Sequence, residues 1–88
     1  MNSILLEKAQ KALKVVEPML NKGWPPAESI ARQLRWCIAF ASDEPREKRP
    51  GKFSMGLVAT REFDMWGNNP ELALLINEVQ KEAERALA

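Results

Sequence analysis

Apolar residues in the first part of the chain recur at steps of three and four, which places them on one face of a helix. The recurring positions are Leu5, Ala9, Ala12, Val16 and Met19. Asn2 or Ser3 can cap the start, because a short side-chain oxygen accepts a backbone N–H that lacks a partner within the helix. The Asn-Lys-Gly segment 21–23 is a typical terminator. The pattern predicts a helix over residues 3–20.

A second helical pattern follows the rigid Trp-Pro-Pro connector at 24–26. Pro26 suits the first position of a helix, where its missing N–H has no cost. Apolar residues then share one face: Ala27, Ile30, Ala31, Leu34, Cys37, Ile38 and Ala41. We therefore expect a second helix over residues 26–42.

The clearest boundary in the sequence precedes the last helix. Asn69 is a good N-cap, Pro70 fits the first helical position, and Glu71 complements the positive end of the helix dipole. One apolar face follows, formed by Leu72, Leu75, Ile76, Val79 and Ala83. These features predict a helix over residues 70–87.

The segment from Phe53 to Trp66 is ambiguous. Apolar residues recur at every second position, as in a strand: Phe53, Met55, Leu57 and Ala59. The spacing of Phe53 and Leu57 fits one face of a helix equally well. A strand would have no partner, because no other segment is typical of one. We prefer a short helix over residues 53–63.

Apolar stripes of this kind must meet in one core. We expect an all-α fold, a compact bundle of three long helices and one short helix. Residues 1–88 are expected to form a single helical domain. The segment 43–52 contains seven charged residues, two prolines and a glycine, and we expect it to be a mobile charged loop.

The composition argues against catalysis. The 88 residues include no histidine, which is the commonest general base, and only one cysteine. Cys37 lies on an apolar stripe and is expected to be a core residue, while Glu62 and Asp64 are expected to be solvated charges. We expect no enzyme activity, no catalytic residue, no cofactor and no metal.

The beginning of the chain indicates a cytoplasmic protein. Charged residues appear by Glu7 and Lys8, which does not fit a signal peptide. No apolar stretch approaches the roughly 20 residues that a bilayer span requires. We therefore expect no membrane association.

Charge is unevenly distributed along the chain. Residues 1–42 contain six basic and three acidic residues, whereas residues 67–88 contain four acidic and two basic residues. The basic half could face nucleic acid, or it could lie beside the acidic last helix. A nucleic-acid domain usually has a pI above about 9, and this chain has a pI of about 7.9.

Tryptophan and arginine most often anchor protein interfaces. Trp36 lies at the edge of the second apolar stripe, where core packing and interface contact both remain open. Arg32 is one turn away, close enough to stack on the indole. The candidate partner-binding residues are Arg32, Arg35, Trp36, Arg46, Lys48, Arg49 and Lys52.

These features favour a small non-catalytic protein–protein interaction module. An immunity protein, an antitoxin or an adaptor of a bacterial type would fit this description. The alternative is a nucleic-acid-associated helical protein that uses the basic N-terminal half. The partner is expected to be another protein, and because a small core leaves little stability, a homodimer is also open.

Overall fold

The computed structural model describes residues 2–44, 52–66 and 68–87, without the side chains of residues 64 and 66. The described chain forms helix α1 (Ser3–Leu20), α2 (Pro25–Ala41), α3 (Met55–Ala59) and α4 (Pro70–Leu87). Helix α3 continues directly into a π-helical segment, Thr60–Trp66. No strand occurs among these residues, so the expected all-α bundle is confirmed. The predicted charged loop lies mostly outside the described residues, at 45–51.

The helix ends follow local chemistry. The Asn2 side chain accepts the Leu5 N–H at 3.2 Å at the start of α1. Gly23 has a φ of +65°, which a residue without Cβ adopts at little cost, and it turns the chain into α2. Asn69 caps α4 by accepting the Leu72 N–H at 3.2 Å.

The helices form a ring in which α1 packs between α2 and α4. The third helix and its π-helical segment pack on α4, and α3 also contacts α2 and thereby closes the ring. Small side chains let α1 and α2 approach closely. The fully buried alanines on these two helices are Ala9, Ala12, Ala27 and Ala31.

Two aromatic groups complete the core. The rings of Trp36 and Phe40 stack with centroids 5.3 Å apart, and Phe53 meets Trp36 edge-on at 5.7 Å. At the other end of α2, Trp24 meets Phe63 edge-on at 5.3 Å. The segment after the predicted loop is therefore tied to both ends of α2 through Phe53 and Phe63.

Candidate functional site

The structure describes four of the seven predicted partner-binding residues. Arg32 and Lys52 line the same depression, and Arg35 is exposed on α2. The other three cations of the set lie outside the described residues: Arg46, Lys48 and Arg49.

The structure places Trp36 in the core. Its side chain is only 7% exposed, because Phe40 stacks on one side of the indole and Phe53 packs against it. The sequence left open whether Trp36 packs in the core or contacts a partner, and the structure shows that it packs in the core. Trp36 is therefore not available as an exposed anchor.

Gln33 is the buried polar residue that the sequence analysis missed. Its Oε1 accepts the backbone N–H groups of Ser54 at 2.9 Å and of Met55 at 3.0 Å. Its Nε2 donates to the hydroxyl oxygens of Ser29 and Ser54, both at 3.2 Å. One amide on α2 thus satisfies the backbone at the start of α3 and orders two serine side chains.

A second amide holds α3 from the opposite side. The Gly56 N–H donates to Gln80 Oε1 of α4 at 2.7 Å. Asn77 donates to Thr60 Oγ1 at 2.9 Å and to the Ala73 carbonyl at 2.8 Å. Together with Gln33, these side chains fix the short helix between α2 and α4.

A polar depression of about 210 Å³ lies beside Gln33. We call it the Gln33 pocket. It is lined by Ser29, Arg32, Gln33, Lys52, Phe53 and Ser54. The described lining contains two cations and two hydroxyl groups and no carboxylate.

A different surface runs along α1 and α4, and we call it the α1/α4 surface. Three large apolar side chains of this surface are exposed to solvent: Ile4 by 59%, Val15 by 41% and Leu74 by 63%. Lys8 and Lys11 lie on its α1 side together with Glu7, and Glu71 and Glu78 lie on its α4 side. The ammonium of Lys8 is 3.6 Å from the Glu78 carboxylate.

An apolar cavity of about 520 Å³ opens near the turn between α1 and α2. Trp24 and Phe63 form its aromatic wall, and Lys22 and Asn69 supply its polar groups. Its size falls within the range of about 300–1,000 Å³ that is typical of small-molecule pockets. Among the described residues of its lining, Lys22 is the one charged side chain.

The basic residues of the first two helices are divided between separate places. Lys8 and Lys11 belong to the α1/α4 surface, whereas Arg32 lines the Gln33 pocket. The contact between Lys8 and Glu78 shows that α1 lies beside the acidic last helix. This arrangement matches the charge-compensation alternative, and the nucleic-acid alternative gains no shared basic surface from these three residues.

The remaining candidate groups are the single cysteine and the carboxylates of Glu62 and Asp64. Cys37 is fully buried, as expected of a core cysteine. The Oε1 atom of Glu62 lies 3.6 Å from Nε of Arg61. The side chain of Asp64 is outside the described part. The described residues contain no group of three possible metal ligands. They also contain no helix with the length and apolarity to cross a bilayer, and the cellular compartment stays a prediction.

Comparison with known proteins adds no family. No protein-family model, curated protein or solved structure matches the chain.

Proposed function

We propose that this chain is a non-catalytic protein-interaction module that binds through the α1/α4 surface. The observation that carries the proposal is that Val15 and Leu74 line one depression between α1 and α4, and Ile4 lines the adjoining one. These are three of the five large apolar side chains that are exposed in the described part. Single exposed apolar residues are common, whereas a group of them on one face is typical of an interaction site. An immunity protein, an antitoxin and an adaptor would all use such a surface.

Charge on this surface favours a second copy of the chain as the partner. Lys8 and Lys11 outnumber Glu7 on the α1 side, and Glu71 and Glu78 lie on the α4 side. In a two-fold symmetric contact the same patch is used by both subunits. A two-fold axis between the helices would lay α1 of one copy over α4 of the other, so that lysines oppose glutamates. The surface is therefore complementary to itself.

The size of the surface indicates a weak dimer. Each helix has 18 residues and is about 27 Å long at 1.5 Å per residue. Two packed helices are about 20 Å wide, so the patch covers roughly 540 Å² per copy. A standard interface buries about 800 Å² per partner. We therefore expect a reversible dimer with a dissociation constant in the micromolar range.

Analytical ultracentrifugation of the full chain tests this proposal. We expect the average mass to rise from monomer toward dimer between about 1 μM and about 1 mM, which brackets the affinity of a small interface. Leu74→Lys should keep the chain monomeric, because it buries a charge in the contact.

Leu57→Lys is the matched control. Leu57 is a similarly exposed leucine, at 70%, but it lies on α3 and outside the α1/α4 surface. This variant should dimerise as the wild type does. A monomer at all concentrations, or a dimer that Leu74→Lys leaves intact, would contradict the proposal.

A further inference from the structure

The apolar cavity beside Trp24 is lined by side chains that make specific contacts with aromatic rings. We call it the Trp24 cavity. Met19, Trp24 and Pro25 line it together with Phe63, which meets the indole of Trp24 edge-on. A thioether contacts aromatic rings favourably, and indole and phenyl rings pack edge-on or offset against another ring. These side chains therefore favour a planar aromatic group as the occupant.

Backbone hydrogen bonds fix both walls of the Trp24 cavity. The carbonyl of Trp24 accepts the Ala27 N–H at 3.0 Å, and the proline that follows Trp24 begins α2. On the opposite wall, Phe63 belongs to the π-helical segment, and its carbonyl accepts the Asn69 N–H. π-Helical turns within helices are frequent at functional sites. The cavity is preformed, which lowers the entropy that a ligand must lose to bind.

The capping hydrogen bond of Asn69 determines which of its side-chain atoms can bind a ligand. A backbone N–H can only donate, so the atom that accepts the Leu72 N–H at 3.2 Å is the amide oxygen, Oδ1. The Nδ2 group keeps its protons to donate, and it has no acceptor among the residues that the structure describes. Asn69 lines the Trp24 cavity. It therefore supplies the cavity with an amide donor on a side chain that the cap holds in place.

Lys22 brings a positive charge to the same cavity. Its ammonium forms no ion pair with a carboxylate in the described part of the chain. The described lining of the cavity also contains no acidic residue. A carboxylate group has two acceptor oxygens, one for the ammonium and one for the Asn69 amide. The polar groups of the cavity therefore match a carboxylate in both charge and hydrogen bonding.

We propose that the Trp24 cavity binds a small aromatic carboxylate. The ring of the ligand packs against Trp24 and Met19, and its carboxylate accepts hydrogen bonds from Lys22 and from Nδ2 of Asn69. The cavity volume of about 520 Å³ is sufficient for such a molecule, because pockets that enclose small molecules measure about 300–1,000 Å³. This site adds a small-molecule ligand to the proposed interaction function.

Titration with phenylacetate, followed by ¹H–¹⁵N NMR, tests the site. We expect saturable shifts in the indole N–H of Trp24 and in the side-chain amide of Asn69. The expected dissociation constant is about 1 mM, as is typical of a ligand with about ten non-hydrogen atoms. No shift of these two signals, or shifts spread evenly over the protein, would overturn the proposal.

Three further ligands test the chemical class. Acetate lacks the ring, phenethylamine has the opposite charge, and cyclohexylacetate has an apolar ring that is not aromatic. Acetate and phenethylamine should bind at least about tenfold more weakly than phenylacetate, because each loses one half of the recognition. Cyclohexylacetate should bind several-fold more weakly, because it loses the contacts specific to aromatic rings. Binding of any of the three as tight as that of phenylacetate would overturn the assigned class.

Variants test the two donors. Lys22→Gln should weaken phenylacetate binding about tenfold, as expected for the loss of a charge-assisted contact. Asn69→Asp keeps an acceptor for the Leu72 N–H, and aspartate is a favoured N-cap, so α4 should remain as stable as in the wild type. This variant replaces the amide donor by a negative charge and should weaken binding about tenfold or more. Unchanged affinity in Asn69→Asp would contradict the site.

Lys81→Gln is the matched control for charge. Lys81 is exposed on α4 and does not line the Trp24 cavity, so its replacement should leave the affinity for phenylacetate unchanged. Equal weakening by Lys22→Gln and Lys81→Gln would contradict a specific role of Lys22.

Binding to the Leu74→Lys variant separates this site from the proposed dimer. Asn69 also borders the α1/α4 surface, whereas Leu74 does not line the Trp24 cavity. Phenylacetate should therefore bind Leu74→Lys as tightly as it binds the wild type, whether or not the wild type dimerises. Loss of binding in this variant would place the ligand on the α1/α4 surface and would overturn the Trp24 cavity as its site.

Discussion

Replacing Gln33 by leucine tests whether one buried amide holds the third helix in place. Leucine has a similar volume and keeps the apolar contacts, but it removes the acceptor of two backbone N–H groups. The Met55 N–H is buried and would lose its partner, whereas the Ser54 N–H is partly buried and can reach water.

The expected loss follows from these two groups. An unsatisfied buried donor costs about 1–3 kcal/mol, and the second lost hydrogen bond contributes about 1 kcal/mol. The burial of an apolar leucine side chain in place of a polar amide offsets part of this cost. We therefore expect the free energy of unfolding to fall by about 2–3 kcal/mol. A chain of this length has a total stability of roughly 4–13 kcal/mol. The variant should therefore fold, but it should unfold at a clearly lower urea concentration than the wild type.

Urea unfolding followed by circular dichroism at 222 nm measures the loss of stability. Hydrogen exchange adds a local readout, because the Met55 amide should lose protection in Gln33→Leu more than the amides of α1 do. Gln10→Leu is the matched control on the exposed side of α1 and should stay within about 0.5 kcal/mol of wild type. Stability and Met55 protection equal to wild type in Gln33→Leu would refute this account of Gln33.

Three smaller perturbations test other parts of the fold. Asn69→Ala removes the side-chain cap of α4 and should cost about 1 kcal/mol in thermal or urea unfolding, whereas Asn69→Ser should restore most of it; equal stability of both variants would contradict the cap. In Gly56→Ala the new Cβ would lie 2.5 Å from Asn77 Oδ1 and 2.9 Å from Gln80 Oε1, so these side chains must move and lose hydrogen bonds. We expect a loss of about 1–2 kcal/mol despite the better helix propensity of alanine, and a gain in stability would refute the close contact. Cys37 should react with a disulfide reagent such as DTNB only at the rate of unfolding, because its thiol is fully buried, and fast labelling of the native protein would contradict that burial.

Most of the helical framework could be predicted from the sequence because its signals are local. The predicted helices 3–20 and 70–87 agree with α1 and α4, and the second begins and ends one residue earlier than predicted. Asn69 caps α4 as expected, and Asn2, one of the two residues considered for α1, caps that helix, because a cap involves residues only three positions apart. Both signals are local in sequence: the apolar periodicity repeats every three or four residues, and the capping residues lie within a few positions of each helix end.

The segment after the charged loop was harder to predict. A short helix was preferred over residues 53–63, and the structure has helical residues from Met55 to Trp66, of which the last seven are π-helical. Side chains from other helices hold this segment in place, since Gln33 and Gln80 bind its first backbone N–H groups. These contacts span at least 21 residues of sequence, so a local pattern could not reveal them.

The candidate sites show the same division between local and long-range information. Gln33 interrupts an apolar stripe between Ile30 and Leu34, and that interruption is the signal that could have marked it. Trp36 was left open between core and surface because one of its two ring partners, Phe53, lies 17 positions away. Burial of a single aromatic residue depends on tertiary neighbours that helical spacing alone does not specify.

Intermolecular NOEs from a mixed sample of isotope-labelled and unlabelled chains test the proposed binding surface most directly. At about 1 mM protein, above the micromolar dissociation constant expected of a small interface, we expect NOEs between subunits. They should run from the methyl groups of Ile4 and Val15 to those of Leu74 and of Leu75, which also lines the α1/α4 surface. The absence of any intermolecular NOE, or NOEs that instead involve Leu57 of α3 and Met65 of the π-helical segment, would contradict the assignment of the α1/α4 surface.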